Sequence, residues 1–242
     1  MDEQLVKRLL ALNREFYANF AQDFSETRPA ERANVEPIMP YLADGVKVLD
    51  VGCGNGRIAG RLDREGLRLE YVGIDVTSSL IEFARARRYQ NLNAEFRRLD
   101  ITSPEWAKAL RPCAPFDVAL MLAVLHHLPG FELRRAVLRD LRTLLPPDGK
   151  LILSNWQFMQ NERLRGKITP WQQLGIDEGG LEPGDKLLDW KRGGTGYRYL
   201  HLLTEAEVQA LAEQSGFNVA RQFYADADLN LWSVLDCEQE KE

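Results

Sequence analysis

The chain has 242 residues, of which 45% are hydrophobic and 28% charged, the balance of an ordinary globular protein and not of a disordered or fibrous one. A net charge of −5 offers no global attraction to nucleic acid or to an anionic membrane, so either partner would have to be met locally. Three cysteines, Cys53, Cys113 and Cys237, are odd in number and lack CxxC spacing, which argues against a secreted disulfide framework and for a reducing, cytoplasmic setting.

Near the amino terminus, Leu5, Leu9, Leu12, Phe16 and Phe20 recur every three or four positions and predict an amphipathic helix. It lacks the cationic start and long apolar run of a secretory signal, and no stretch approaches the roughly 18 apolar residues that span a bilayer. A second helical piece is predicted over 31–42, interrupted by Pro37 and Pro40. Then come strand 47–51, helix 57–64, strand 69–74, helix 78–88, strands 94–99 and 116–122, helix 131–145 and strand 151–154. Such alternation implies an α/β fold with a doubly wound, mostly parallel sheet. Residues 157–199 are rich in Gly, Pro, Trp and charge with little periodicity, too long for an ordinary connection, and are expected to form an insertion or lid. Thr204 and Glu207 have capping-box spacing, so a helix should run from there to Gly216, followed by a strand hairpin over 217–223 and 229–235.

The strongest local signal is the run from Val48 to Gly56, an apolar strand entering the alternating glycines Gly52, Gly54 and Gly56. Glycine permits a tight strand-to-helix turn and lets a ligand approach bare backbone. Arg57 stands three positions beyond Gly54, so the dinucleotide pattern G-x-G-x-x-G is broken, and no phosphate-cradling G-x-x-x-x-G-K-[ST] occurs. Asp75 closes the next strand about 20 residues on, where a carboxylate can accept from both ribose hydroxyls of a nucleoside. Asp100 closes the third strand, at the edge where open α/β sheets place ligands, and could accept from an exocyclic amine.

Together Asp50–Gly56, Asp75, Asp100 and the segment 116–128 resemble the ordered motifs of class I S-adenosylmethionine methyltransferases. The resemblance spans about residues 46–155 and implies a Rossmann-like seven-stranded sheet with N-terminal helices and an insertion after the fifth strand. It implies S-adenosylmethionine as cofactor, S-adenosylhomocysteine as product and no metal. It also implies one domain: a helical cap (1–45), a cofactor-binding core (46–156), an insertion (157–200) and a C-terminal helix and hairpin (201–242). Gly52, Cys53, Gly54 and Gly56 would host the methionine part, Asp75 and Val76 the ribose, Asp100 and Ile101 the adenine. Ala123 would leave backbone beside the sulfonium. Asp50 would order the loop or meet the cofactor amino group.

A sulfonium methyl is already activated, so the protein must chiefly align a nucleophile in line and exclude water. A carboxylate acceptor is ionised at neutral pH, whereas a hydroxyl or amine usually needs a base. His126 and His127, just past the fourth strand, are candidates for that base or for a hydrogen-bond partner, and equally for groups that tie the loop to the backbone. No N-P-P-[YF] follows that strand, which weighs against adenine-amine methylation.

Outside the core, Asn13–Phe16, Phe20, Phe24–Arg28, Ala123–His127, Ser154–Trp156 and Arg198–His201 resemble the Trm9/ALKBH8-type wobble-uridine tRNA methyltransferases. These act on a carboxymethyl group of the tRNA anticodon. By this resemblance Tyr17 and Arg28 would close over the cofactor, and Arg198, Tyr199 and His201 would face the acceptor. Two positions depart from the pattern: a tryptophan after Arg28 is missing, and Asn230, Leu231 and Trp232 replace a double aromatic. Acceptors left open are tRNA and a small molecule for O-, N- or C-methylation. A non-catalytic cofactor- or RNA-binding protein is the reading from a different class. Some relatives need a zinc-containing activator protein, and the sequence does not show a surface for one. Arg85, Arg87 and Arg88, Arg97 and Arg98, and Arg134, Arg135, Arg139 and Arg142 are clusters able to meet phosphates.

Overall fold

The computed structural model describes residues 1–238; the last four residues of the predicted C-terminal part lie outside them. Helix α1 (Glu3–Asn19) is capped by Asp2, whose carboxylate accepts from the Leu5 amide at 2.8 Å, and it turns Leu9, Asn13 and Phe16 inward. A short α2 (Ala21–Glu26) follows. The predicted helix over 31–42 does not form, and Ala30–Arg32 and Met39–Tyr41 are isolated 3-10 turns. Pro37 and Pro40 supply no amide hydrogen and push the residues before them out of the helical region.

The alternating pattern then builds β1 (Lys47–Val51), α3 (Arg57–Arg64), β2 (Glu70–Asp75), α4 (Ser78–Arg85), β3 (Asn93–Arg98), β4 (Val118–Leu122), α5 (Phe131–Arg142) and β5 (Lys150–Trp156). Both α4 and α5 end three residues earlier than periodicity suggests. Beyond the expected insertion come α6 (Glu162–Arg165), β6 (Ile168–Thr169), β7 (Asp185–Trp190) and β8 (Gly196–His201), then α7 (Glu205–Glu213), β9 (Phe217–Ala225) and β10 (Asn230–Cys237). The Thr204 hydroxyl accepts from the Glu207 amide at 3.2 Å, which fixes the start of α7.

Seven strands form one sheet in the order β3-β2-β1-β4-β5-β10-β9, parallel except that β10 runs antiparallel to both its neighbours. Alternate β1 residues serve opposite faces. Val48 packs with Ile58, Leu62 and Ile81 of α3 and α4, while Leu49 and Val51 pack with Val137, Leu138 and Leu141 of α5 and Val208 and Leu211 of α7. With both faces covered, ligands are left the edge where the parallel strands end.

The insertion is not irregular. Its strands form a second antiparallel sheet in the order β6-β7-β8, packed on α1 through Leu9, Leu187, Tyr199 and Trp171. Asp185, Asp189 and Arg198 interrupt its apolar positions, which hides a two-residue period. Arg134 on α5 is wholly buried: it donates to the Leu128 carbonyl at 2.9 Å, to Glu207 at 2.9 Å and to Glu182. His201 bridges Asp185 at 2.7 Å and Glu207 at 2.9 Å, so this network ties the small sheet to α5 and α7. Glu182, His201 and Glu207 lie close enough to share a cation, but the Arg134 guanidinium already pairs with both glutamates.

Candidate functional site

At the carboxyl edge of the sheet, β1 runs into Gly52, Gly54 and Gly56, whose φ angles are +75°, +55° and +70°. All three positions favour glycine, but their surroundings differ. A Cβ on Gly52 would meet Val124 Cγ2 at 2.3 Å, and one on Gly56 the Tyr89 hydroxyl at 2.8 Å. On Gly54 it would meet nothing within 4 Å. Gly54 is therefore the residue whose bareness opens space for a ligand. Gly52 and Cys53 also line the cavity, whereas Gly56 does not, a correction to the expectation that all three glycines bare the backbone to one ligand.

Asp50 likewise does not line the cavity. It is buried and accepts from the Tyr71 hydroxyl. Burial pushes its carboxyl up to about 7, against the pull of the Tyr71 hydrogen bond and of Arg57. Its contacts order the turn's surroundings.

Asp75 and Val76 at the end of β2 do line the cavity. The Asp75 carboxylate accepts from the Gly54 amide at 3.1 Å and the Thr77 amide at 2.8 Å. Burial raises its carboxyl above the ordinary range while these amides oppose the shift. Asp100 also faces the cavity, but one oxygen already accepts from Arg14 at 2.6 Å and the other from the Thr102 amide and hydroxyl. An exocyclic amine at Asp100 would share the carboxylate with Arg14. Beside it, Ile101 and Leu99 supply an apolar wall.

Ala123, past β4, adopts φ +59° and donates its amide to the Ser154 carbonyl at 2.9 Å and hydroxyl at 3.1 Å. That unusual backbone faces the cavity. The turn Leu125–His127 follows. His127 Nδ1 lies 3.3 Å from the Tyr199 carbonyl, which can only accept, so the proton belongs on Nδ1 and Nε2 is left to accept from Tyr17 at 2.9 Å. Burial, and then the charge of Arg198, pushes His127 down to about 3. His126 is wholly buried against His127 and Trp156 and is lowered well below the usual histidine range, chiefly by burial. Burial thus favours the neutral form of both imidazoles and lowers their basicity.

The amide of Asn13 joins these elements. Its nitrogen donates to the His127 and Tyr199 carbonyls at 3.2 and 3.1 Å, and its oxygen accepts from the Tyr199 amide at 2.8 Å. Arg28 lies over the Phe24 ring at 3.9 Å, and burial pushes it down to about 10, Arg57 and Arg198 adding repulsion. Neither Arg28 nor Arg57 makes a side-chain hydrogen bond or ion pair among the described residues, and both line the cavity.

Arg198 is 2% exposed and sits among Phe16, Trp156 and Trp190, its guanidinium carbon 4.9, 5.4 and 5.5 Å from their ring centres. Its Nε and Nη1, His126 Nε2 and both amide atoms of Asn155 are sealed without partners. Of the five predicted acceptor residues, only His127 lines the cavity; His126 and Arg198 lie behind Trp156, which does. Tyr199 and His201 do not face it, because both are engaged with Asp185 on the far side of β8. Arg14 and Arg57 line it without having been singled out for that role. Arg14 follows Asn13, a polar residue inside the apolar stripe of α1, and that break in the pattern was the available signal.

Residues 49–151 match the family described as a methyltransferase domain. Among curated proteins, the chain is 28% identical over 159 residues to the mouse tRNA (carboxymethyluridine(34)-5-O)-methyltransferase ALKBH8, covering 63% of this chain and 22% of that protein. It thus spans about a fifth of the length of that relative. It is 29% identical over 223 residues to a putative methyltransferase of Encephalitozoon cuniculi, covering 91% and 93% of the two chains. Among solved structures, a methyltransferase of Methanosarcina mazei superposes with a TM-score of 0.65 at 23% identity, covering 85% of this chain and 98% of the other, a likeness of fold.

Proposed function

We propose that this chain, a class I S-adenosylmethionine-dependent methyltransferase, esterifies an anionic acceptor, the carboxymethyl group of a tRNA wobble uridine. The observation that carries this reading is Arg198, a buried cation without a counter-ion, beside two neutral histidines. A buried unpaired guanidinium is costly unless a ligand compensates it. Proton removal from an amine or hydroxyl acceptor is disfavoured by the low basicity of these imidazoles, whereas a carboxylate arrives ionised. The mouse relative, named for carboxymethyluridine, is consistent with this chemistry.

The cavity fits the cofactor in two respects: open space at Gly54 and a carboxylate, Asp75, lining the same cavity. Bound S-adenosylmethionine supplies a methyl group made electrophilic by the sulfonium. In our reading Asp75 holds the ribose, Ile101 and Leu99 flank the adenine, and Arg28 and Tyr17 close the methionine end. Trp156, which lines the cavity, moves aside on acceptor binding in this reading, so that Arg198 and Asn155 behind it orient the carboxylate. The cofactor would supply the methyl group, and an ionised carboxylate would accept it without any of these residues having to remove a proton. We treat residues 1–242 as one methyltransferase domain in a reducing, cytoplasmic setting, consistent with three unpaired cysteines. Among the described residues no helix is long and apolar enough to cross a membrane.

The test is transfer of labelled methyl to separated tRNA, protein and metabolite fractions. Label in tRNA that mild alkali releases as methanol is expected. Label confined to a metabolite would instead make this a small-molecule methyltransferase, and no label in any fraction would leave a non-catalytic binding protein.

A further inference from the structure

The arginine clusters that sequence offers as phosphate contacts are largely occupied by the fold. Arg85, Arg87, Arg98 and Arg142 donate to main-chain carbonyls, Arg97 and Arg135 pair with Glu95 and Glu132, and Arg134 is buried. Only Arg88 and Arg139 remain of those clusters, and they follow or belong to α4 and α5, which cover opposite faces of the large sheet. No continuous anion-binding surface arises there.

Two cations without an ion pair among the described residues, Arg163 and Lys167, lie instead on the insertion, near a third, Lys191, which pairs with Asp189. Arg163 on α6 is exposed and makes no side-chain hydrogen bond or ion pair among the described residues. Lys167, just before β6, makes no ion pair there either, and its ammonium lies 5.6 Å from the Trp190 ring centre. Lys191, just after β7, is 80% exposed, with Asp189 at 3.1 Å. Ile168 pairs with Leu188 and Leu188 with Arg198, so Lys167 is displaced from Arg198 by two strand spacings, roughly 10 Å. The charges share one field: burial, then Arg163 and Arg198, lower the Lys167 ammonium, with Asp189 opposing.

Resting on the tRNA reading above, we propose that Arg163, Lys167 and Lys191 form the docking surface for the phosphate backbone of the RNA whose modified base enters beside Trp156. The surface meets the acceptor region through Trp190, whose ring centre lies 5.6 Å from the Lys167 ammonium and 5.5 Å from the Arg198 guanidinium carbon. An unpaired loop nucleotide presents its base and backbone separately, so the insertion can hold phosphates while the base reaches inward. Such contacts release counterions and make binding depend steeply on salt.

The test compares the full chain with the triple variant Arg163→Ala, Lys167→Ala, Lys191→Ala. The probe is an anticodon stem-loop RNA carrying 5-carboxymethyluridine, titrated by anisotropy between 50 and 200 mM KCl. The variant should lose at least about tenfold in affinity at low salt, and its slope of log K against log salt should be shallower by about 2 to 3. Its calorimetric affinity for S-adenosylmethionine should stay within about twofold of the wild type, because none of the three side chains lines the cofactor cavity. If the wild type methylates the stem-loop and the variant shows the same slope and KM, the surface is wrong while the tRNA reading stands. If the wild type neither binds nor methylates the stem-loop, both fall. Equal affinity and salt slope for polyglutamate would assign the surface to an acidic protein instead.

Discussion

Replacing Arg198 by methionine separates a residue that holds the fold from one that awaits an anion. Nε and Nη1 are buried without partners, at about 1–3 kcal/mol each, while the three surrounding rings return about 0.5–1 kcal/mol apiece. Methionine keeps an apolar stem of similar reach and removes the unmet donors, so the ligand-free protein should gain about 1–3 kcal/mol. In a chain of this size that is a rise of about 2–10 °C in Tm, read by calorimetry. In catalysis the sign reverses. A charge-assisted hydrogen bond worth about 3 kcal/mol disappears, so kcat/KM for the acceptor should fall about 100-fold while cofactor affinity holds. A lower Tm accompanied by parallel loss of cofactor binding would show that Arg198 supports the fold, and would refute the reasoning.

Other expectations follow from contacts already described. Gly52→Ala should lower Tm, because its Cβ would strike Val124, whereas Gly54→Ala should weaken cofactor binding more than stability; equal effects in calorimetry and thermal melts would contradict the distinction. Asn13→Ala removes three hydrogen bonds to main chain and should cost about 2–4 kcal/mol in urea unfolding while weakening cofactor binding. The Asp50 carboxyl, raised to about 7 in the fold, keeps a proton that the unfolded chain sheds near pH 4, so its burial destabilises the protein increasingly as pH climbs from about 4 to 7. Asp50→Asn should therefore stabilise more at pH 8 than at pH 4.5, and a pH-independent difference would count against this assignment. His127, lowered to about 3, works in the opposite direction: its stability is present above about pH 6.5 and is lost as pH falls toward 3.

Strong periodic segments were legible in the sequence. The strand-glycine-helix run, Asp75 and the capping box at Thr204 each encode local geometry in adjacent residues, and the structure shows those elements. The insertion was less readable because its strands are short and their inward positions include Arg198 and Asp185, which look like surface residues until their partners are known. Tyr199 and His201 show the same limit: a motif on one strand gives residue types, but alternation sends neighbours to different sides, and only the packed sheet reveals that both meet Asp185. Arg14 reaches Asp100 across 86 positions of sequence, a pairing that no local period could announce.

The cavity draws its walls from two bodies of unequal tenacity. One is the rim of the large sheet; the other is α1, latched through Asn13 to a strand 186 positions away. With Arg14 on Asp100, Tyr17 on His127 and Leu9 packed on the small sheet, that latch holds α1 without sharing any rung of the seven-stranded ladder. Loosening α1 should therefore speed amide exchange along the helix and leave exchange in the central strands unchanged.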